Sequence, residues 1–347
     1  MEVQRFDYLL PQDLIAQSPA EPRDSSRLLV LHRESGRMEH RIFRDVVEYA
    51  RAGDVLVLND TRVRRARLRG RRLPGGGRVE VLLLHPEPGR PAATWRALVR
   101  PGRKVLPGQV LELAQGELLA RVLARTGEGG RLLQLESPTG RPVEQILQQR
   151  GELPLPPYIR RPPADPERYQ TVYARVEGSA AAPTAGLHFT PALLEELKRR
   201  GVTLTFVTLH VGAGTFRPVR VQHVEEHRMH PEYYTLPAET ARAVEQARAR
   251  GGRVWAVGTT VVRALESAAA PDGSVRAGSG WTELFIYPGY VFRVVDVLVT
   301  NFHLPRSTLL MLVCAFGGTE RVLAAYRSAV EMKYRFYSFG DAMLILP

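Results

Sequence analysis

The 347-residue chain is 44% hydrophobic and 24% charged, enough for a sizeable core and long enough for two domains. No apolar run approaches the roughly 18 residues of a membrane helix, and MEVQRFDYLLPQD is too acidic and interrupted for a signal peptide, so a globular cytoplasmic protein without a membrane partner is expected. Net charge is +12 and unevenly placed: residues 62–104 hold thirteen arginines or lysines against two acids, Glu80 and Glu87.

A compact basic surface attracts polyanions, and arginine forks suit phosphate and base edges, which makes RNA or DNA the first partner to consider. The alternative is a solvated arginine-rich face. The single cysteine, Cys314 in LLMLVCAFG, excludes an internal disulfide and a cysteine zinc cluster and reads as a packed core residue.

In chain order, GDVLVLNDT is a strand-like run of β-branched and apolar residues. Beyond it come RVEVLLLH, TWRALVRPG, GQVLELA, GELLARVLA and GRLLQLE, short runs with glycine turns that suggest a small barrel or sandwich. LPLPPYIRRPPADPERYQ follows, with six prolines between Pro154 and Pro166, as a stiff crossing and a domain boundary. In TPALLEELKRRG, Thr190 is the N-cap, Pro191 the first helical residue and Gly201 the stop. VTLTFVTLHVGAG, GRVWAVGTT and VVDVLVTNFHLP read as buried strands, and PAETARAVEQARARG and GTERVLAAYRSAVEMKYRF as helices. The simplest architecture is an α/β domain built from both ends of the chain, residues 1–61 and 151–347. An all-β, barrel-like domain is inserted at 62–150.

Ligands of open α/β sheets sit beyond the carboxyl ends of the strands. Four such ends are chemically rich: Asn59-Asp60-Thr61, residues 210–217, Gly258-Thr259-Thr260 and Asn301-Phe302-His303. Gly212 and Gly214 form a G-x-G, but Arg217 and Pro218 stand where a dinucleotide loop needs a small residue. These glycines instead let backbone approach a ligand, with Arg217 free to pair with an anion; a plain turn is the alternative. VGTTVVRALES places Thr259 and Thr260 at a helix start whose N–H groups suit a carboxylate or phosphate, unless the threonines merely cap it. EEHRMHPE sets His227 and His230 three apart before Glu232, but Pro231 breaks any helix there and no zinc motif spacing results, so no metal is expected. Histidine acid/base work is the favoured reading for this set and for His188 in APTAGLHFT, with a loop histidine hydrogen-bonded to backbone as the alternative.

AAPTAGLHFT, VTLHVGAGTFRPV, EEHRMHPEYY, VGTTVVRALES, VTNFHLPRSTLLMLV and KYRFYSFGDAM, in that order, resemble the S-adenosylmethionine:tRNA ribosyltransferase-isomerases of queuosine biosynthesis. FDYLLPQDLIAQSPAEPRDSSRLLVL and GDVLVLNDTRV extend the resemblance to nearly the whole chain. Ser179-Ala180 and Ala213 depart from the usual pattern without removing a polar group.

The resemblance implies an α/β domain with an inserted β-barrel, and S-adenosylmethionine as a ribosyl donor and co-substrate, with no tightly bound cofactor. It implies a tRNA anticodon loop carrying 7-aminomethyl-7-deazaguanine at the wobble position, converted to epoxyqueuosine with release of adenine and methionine. On the matching motifs, His188, His210 and His303 are the acid/base candidates, with Asp60 as partner. Gly258, Thr259 and Thr260 would take the methionine carboxylate, and Gly212, Gly214 and Phe216 the nucleoside. Arg217 would reach the donor or a tRNA phosphate. Phe302 and Tyr337 would face the sulfonium; core packing is their alternative. Arg23, Arg27, Arg62 and the arginines of the insert would track tRNA. The rival readings are an S-adenosylmethionine-dependent RNA methyltransferase and a non-enzymatic RNA-binding module.

Overall fold

The computed structural model describes residues 1–87, 89–91, 93–161, 163–212 and 219–347. Its strands are β1 (Arg27–His32), β2 (Met38–Ile42), β3 (Val55–Asn59), β4 (Thr61–Val63), β5 (Arg67–Leu73), β6 (Arg78–Pro86), β7 (Thr94–Arg100), β8 (Val110–Leu113), β9 (Leu118–Arg125), β10 (Arg131–Glu136), β11 (Val176–Ser179), β12 (Thr203–Leu209), β13 (Glu232–Leu236), β14 (Val254–Val257), β15 (Gly278–Thr282), β16 (Val297–Asn301) and β17 (Ala342–Leu346). Its α-helices are α1 (Val143–Arg150), α2 (Pro191–Arg199), α3 (Ala238–Ala249), α4 (Thr259–Ser267), α5 (Thr308–Gly317) and α6 (Thr319–Glu331). The chain divides into one unit of Met1–Arg62, Pro157–Val176 and Ala182–Pro347 and a second of Val63–Pro156 with Glu177–Ala181.

The first unit is the expected α/β fold. Among the described residues its sheet has nine strands in the order β15-β13-β12-β3-β14-β16-β17-β1-β2. β12, β3, β14 and β16 run parallel, whereas β17 is antiparallel to β16 and parallel to β1. The carboxyl ends of the four parallel strands therefore share an edge with the amino ends of β17 and β1. At the opposite edge Asp54 accepts from Arg253 N at 2.9 Å, Arg51 N at 3.0 Å and Trp255 Nε1 at 2.8 Å, which seals the amino ends of β3 and β14. Local signals explain the connecting helices: Thr190 Oγ1 accepts from Leu193 N at 3.2 Å and caps α2, with Pro191 opening the helix.

Alternate residues of the strands build one core face. Leu28 and Val30, Leu56 and Leu58, Trp255 and Val257, Val297 and Val299 pack with Phe43, Phe189 and the apolar stripe Leu193, Leu194, Leu197 of α2. Cys314 is buried in α5, as its apolar surroundings imply. No single helix among the described residues is long and apolar enough to cross a membrane; α5 and α6 pass by length and composition only as a pair, bent by 114°.

The second unit is a closed antiparallel barrel in the order β10-β7-β6-β5-β8-β9. Inward residues alternate along its strands, as in Val79, Val81, Leu83 on β6 and Leu118, Ala120, Val122 on β9, and α1 adds Ile146 and Leu147 to the same core.

Candidate active site at the carboxyl ends of the sheet

Each of two buried strands ends in a buried asparagine, and strand parity turns the two to opposite faces. Asn59 follows Val55 and Val57 toward α4. Its Nδ2 donates to Leu209 O at 3.0 Å and Thr260 Oγ1 at 3.2 Å, and its Oδ1 accepts from Leu209 N and Thr61 N, both at 3.1 Å. One side chain thus ties the ends of β3 and β12 to the first turn of α4. Gly258 precedes that turn with φ +93°, where a side chain would be strained, and its N–H donates to Val299 O at 2.8 Å.

Asn301 follows Val297 and Val299 toward the 3-10 turn Thr184–His188. Its Nδ2 lies 3.3 Å from Tyr337 O, which only accepts, and 3.0 Å from His188 Nε2, while its Oδ1 accepts from Thr184 Oγ1 at 3.1 Å. The Tyr337 carbonyl sets the orientation of the amide, and the amide then sets the histidine: Nε2 accepts, so Nδ1 carries the proton and donates to Ser26 Oγ at 2.7 Å. His188 is 4% exposed and stacked on Phe43 at 4.9 Å between ring centroids. Burial, reinforced by the charges of Arg335 and Arg23, pushes its pKa down to about 3. His188 is therefore a neutral hydrogen-bonding post near neutral pH.

This shift makes stability pH-dependent. The folded pKa of about 3 lies below the ordinary 6.5, so on acidification the unfolded chain takes up the proton first. The contribution of His188 is fully present above about pH 6.5 and falls as pH drops, by up to about 1.4 kcal/mol per pH unit. Urea unfolding of wild type and His188→Gln between neutral and mildly acidic pH is expected to give a flatter pH profile for the variant; parallel profiles contradict the assignment.

The other expected groups are placed as follows. His210, half-buried at the end of β12, has Nδ1 2.8 Å from Thr61 Oγ1. Asp60 is 2% exposed; its carboxylate accepts from Thr208 Oγ1 at 2.6 Å and from Arg175 at 2.8 Å. Gly212 N donates to Glu232 Oε1 at 2.8 Å, and the other oxygen of Glu232 pairs with the buried Arg263 of α4. Glu232 is thus used in an ion pair, and among the described residues no three His, Cys, Asp or Glu are grouped to hold a metal. Gly214, Phe216 and Arg217 lie outside the described residues.

Several candidates are engaged in contacts within the protein. The Phe302 ring is fully buried among Tyr326, Tyr334 and Phe336, at centroid distances of 5.2, 5.6 and 5.0 Å, so packing takes the face expected for a sulfonium. His303 Nε2 meets Thr300 Oγ1 at 2.9 Å and its backbone is held by Tyr8 and Tyr326; burial pushes its pKa down to about 3. Tyr337 stays beside the network through its carbonyl, at φ +70°, with its ring 4.8 Å from that of Tyr158. Arg23 donates to the carbonyls of Gln170 and Glu167 at 2.8 and 3.1 Å. Arg27 lies over Tyr334 and donates to Met332 O at 2.7 Å, and Arg62 pairs with Glu167. Asn59 and Asn301, named in the sequence as members of polar strand ends but given no role there, and Ser26, not named, carry hydrogen bonds of the candidate site. The usable signal was a polar amide closing an all-apolar strand.

Fold and site define an α/β protein whose parallel strands end in a polar, hydrogen-bonded ligand edge, with a barrel in the middle of the chain. The chain belongs to the queuosine biosynthesis protein family, whose model matches residues 3–345. The S-adenosylmethionine:tRNA ribosyltransferase-isomerase of Moorella thermoacetica is 60% identical over 346 residues, covering 100% of both chains. That of Pelotomaculum thermopropionicum is 55% identical over the same length, again covering 100% of both. The crystal structure of S-adenosylmethionine tRNA ribosyltransferase from Thermotoga maritima matches with a TM-score of 0.57 at 44% identity, over 99% of this chain and 100% of that one.

Proposed function

We infer that the chain is an S-adenosylmethionine:tRNA ribosyltransferase-isomerase acting in queuosine biosynthesis, in the cytoplasm. The observation that carries this reading is the 60% identity, without gaps in coverage at either end, to a relative of that name. The donor is S-adenosylmethionine, a co-substrate. The acceptor is the amine of 7-aminomethyl-7-deazaguanine in a tRNA anticodon loop, and the products are epoxyqueuosine, adenine and methionine.

That chemistry asks for particular groups. The sulfonium acidifies the adjoining ribose 5′ carbon, so a base removes a proton there; a second must keep the attacking amine neutral, and departing adenine needs a hydrogen-bond donor. His210, half-buried at the end of β12 with its Nδ1 on Thr61 Oγ1, is assigned the proton transfer. His188, its tautomer set by the Asn301 amide, holds Ser26 without changing its own charge. The first turn of α4 receives the methionine carboxylate on the N–H groups of Thr259 and Thr260, which have no carbonyl a turn earlier to bond. Gly212, anchored by Glu232, lets backbone lie close to the nucleoside.

The test is mass spectrometry of the products from purified protein, S-adenosylmethionine and tRNA containing the aminomethyl base. Free adenine and methionine with a pentose-derived mass gain on that nucleoside are expected. Adenosylhomocysteine with a single methyl gain would establish the methyltransferase instead, and RNA binding without donor consumption would leave only a binding module.

A further inference from the structure

Two sets stand out among the basic residues of the barrel; the exposed Arg65, Arg90 and Arg121 and the inward Arg72 and Arg131 belong to neither. Arg67, Arg69, Arg71 and Arg96 face Glu80, Glu152, Glu112 and Glu87, and Arg141 and Arg150 share Glu117. Arg78, Arg100, Arg103, Lys104 and Arg125 are exposed and form no ion pair among the described residues. Strand register puts these five at one end. Arg71 lies opposite Arg78, Glu80 opposite Arg100 and Arg131 opposite Arg125, and Arg103 and Lys104 sit in the turn that follows β7. The chain enters β5 and leaves β10 at the other end.

The turn is built on one buried and one half-buried cation. Arg131 is 3% exposed and faces no carboxylate among the described residues. Its guanidinium donates to the carbonyls of Val105 at 2.8 Å, Gly102 at 2.5 Å, Gly129 at 3.0 Å and Gly130 at 2.7 Å. Arg72 donates to Lys104 O at 3.1 Å and lies so close to Gly77 that a Cβ there would sit 2.1 Å from its Nη2. The carbonyls of Gly102, Lys104 and Val105 are thus drawn inward onto guanidinium groups, and the side chains of Arg103 and Lys104 remain outside. A guanidinium cannot shed its proton in a protein, so the scaffold of this loop is itself positive. The connecting loops at this end, residues 74–77, 101–109 and 126–130, contain one acid, Glu128, and no aromatic residue. With no aromatic platform on which bases could stack, these cations favour contacts to phosphates.

We propose that this end of the barrel is a phosphate-tracking surface that holds the sugar-phosphate backbone of the substrate RNA without reading its sequence. The choice of RNA rests on the function inferred above. Binding of tRNA and of poly(U) is measured against KCl concentration for wild type, R103Q/K104Q, R78Q/R100Q/R103Q/K104Q and, as a control at the opposite end, R90Q. Each lost phosphate contact lowers the log–log salt slope by roughly 0.7 to 0.9, so the quadruple variant is expected to lose about 3 in slope and roughly tenfold or more in affinity, for both RNAs. R90Q and donor binding without RNA stay as in wild type. Rim variants matching wild type in a protein that transfers ribose overturn the surface and leave the enzyme standing, as does an equal loss in R90Q. Loss of poly(U) binding in a protein that transfers no ribose supports the surface and overturns the enzymatic reading. Wild type that binds neither RNA overturns the surface.

Discussion

Arg263→Met is expected to destabilise the protein by about 3–5 kcal/mol, because it leaves Glu232 charged and buried without its partner. The two side chains are 6% and 4% exposed, so water does not replace the lost contact. Arg263 also donates to Leu284 O at 3.0 Å, and that acceptor is orphaned too. Combining Arg263→Met with Glu232→Gln is expected to recover part of the loss, since the buried charge disappears while an acceptor for Gly212 N remains. Urea unfolding of the four proteins of the cycle measures this directly. A single-variant loss below about 1 kcal/mol is the value of an exposed pair and contradicts the buried one. The pair also links β13, Gly212 and α4, the elements assigned to the donor. Donor affinity is therefore expected to fall in Arg263→Met under conditions where the variant is still folded.

Asn301→Leu preserves approximate side-chain shape and removes every hydrogen bond of the amide. It is expected to lower turnover by about 10²-fold, the scale associated with a misplacement of roughly 1 Å in a reacting site. Affinity for tRNA is expected to stay within a few-fold of wild type, because Asn301 is 2% exposed and offers almost no surface of its own. Single-turnover kinetics beside RNA binding separates the two effects; turnover within threefold of wild type removes the positioning role. A spectroscopic readout accompanies the kinetics. In wild type, nitrogen NMR of His188 is expected to place the proton on Nδ1, the tautomer set by the Asn301 amide. In the variant that constraint is gone, and a mixture of tautomers follows.

The outcome at His188 illustrates where sequence reading stops. A histidine in a glycine-containing loop before a helix is a fair acid/base candidate on its local pattern. Its role depends on desolvation. The same imidazole half-exposed would titrate near neutral pH, but against Phe43 and beneath Arg335 and Arg23 it stays neutral. Phe302 makes the same point in apolar form. Strand alternation sends Asn301 into the site and Phe302 away from it, and the three rings that enclose Phe302 come from the segment 326–336, remote in sequence.

The sequence by itself determined the class of this protein: short apolar runs with glycine turns for the barrel, β-branched strands alternating with helices for the α/β unit, and polar groups placed just after the buried strands. These signals are local, since secondary-structure period, capping and turn chemistry are set by residues a few positions apart. The tertiary structure alone decided that β17 joins β1 in parallel and β16 in antiparallel, bringing Asp341 and Ser26 to the edge where Asn301 ends. It alone decided which barrel arginines meet a glutamate and which stand free, and that Arg131 is buried on carbonyls. Pairing, burial and the dielectric around a charge depend on residues far apart in the chain, and no local pattern encodes them.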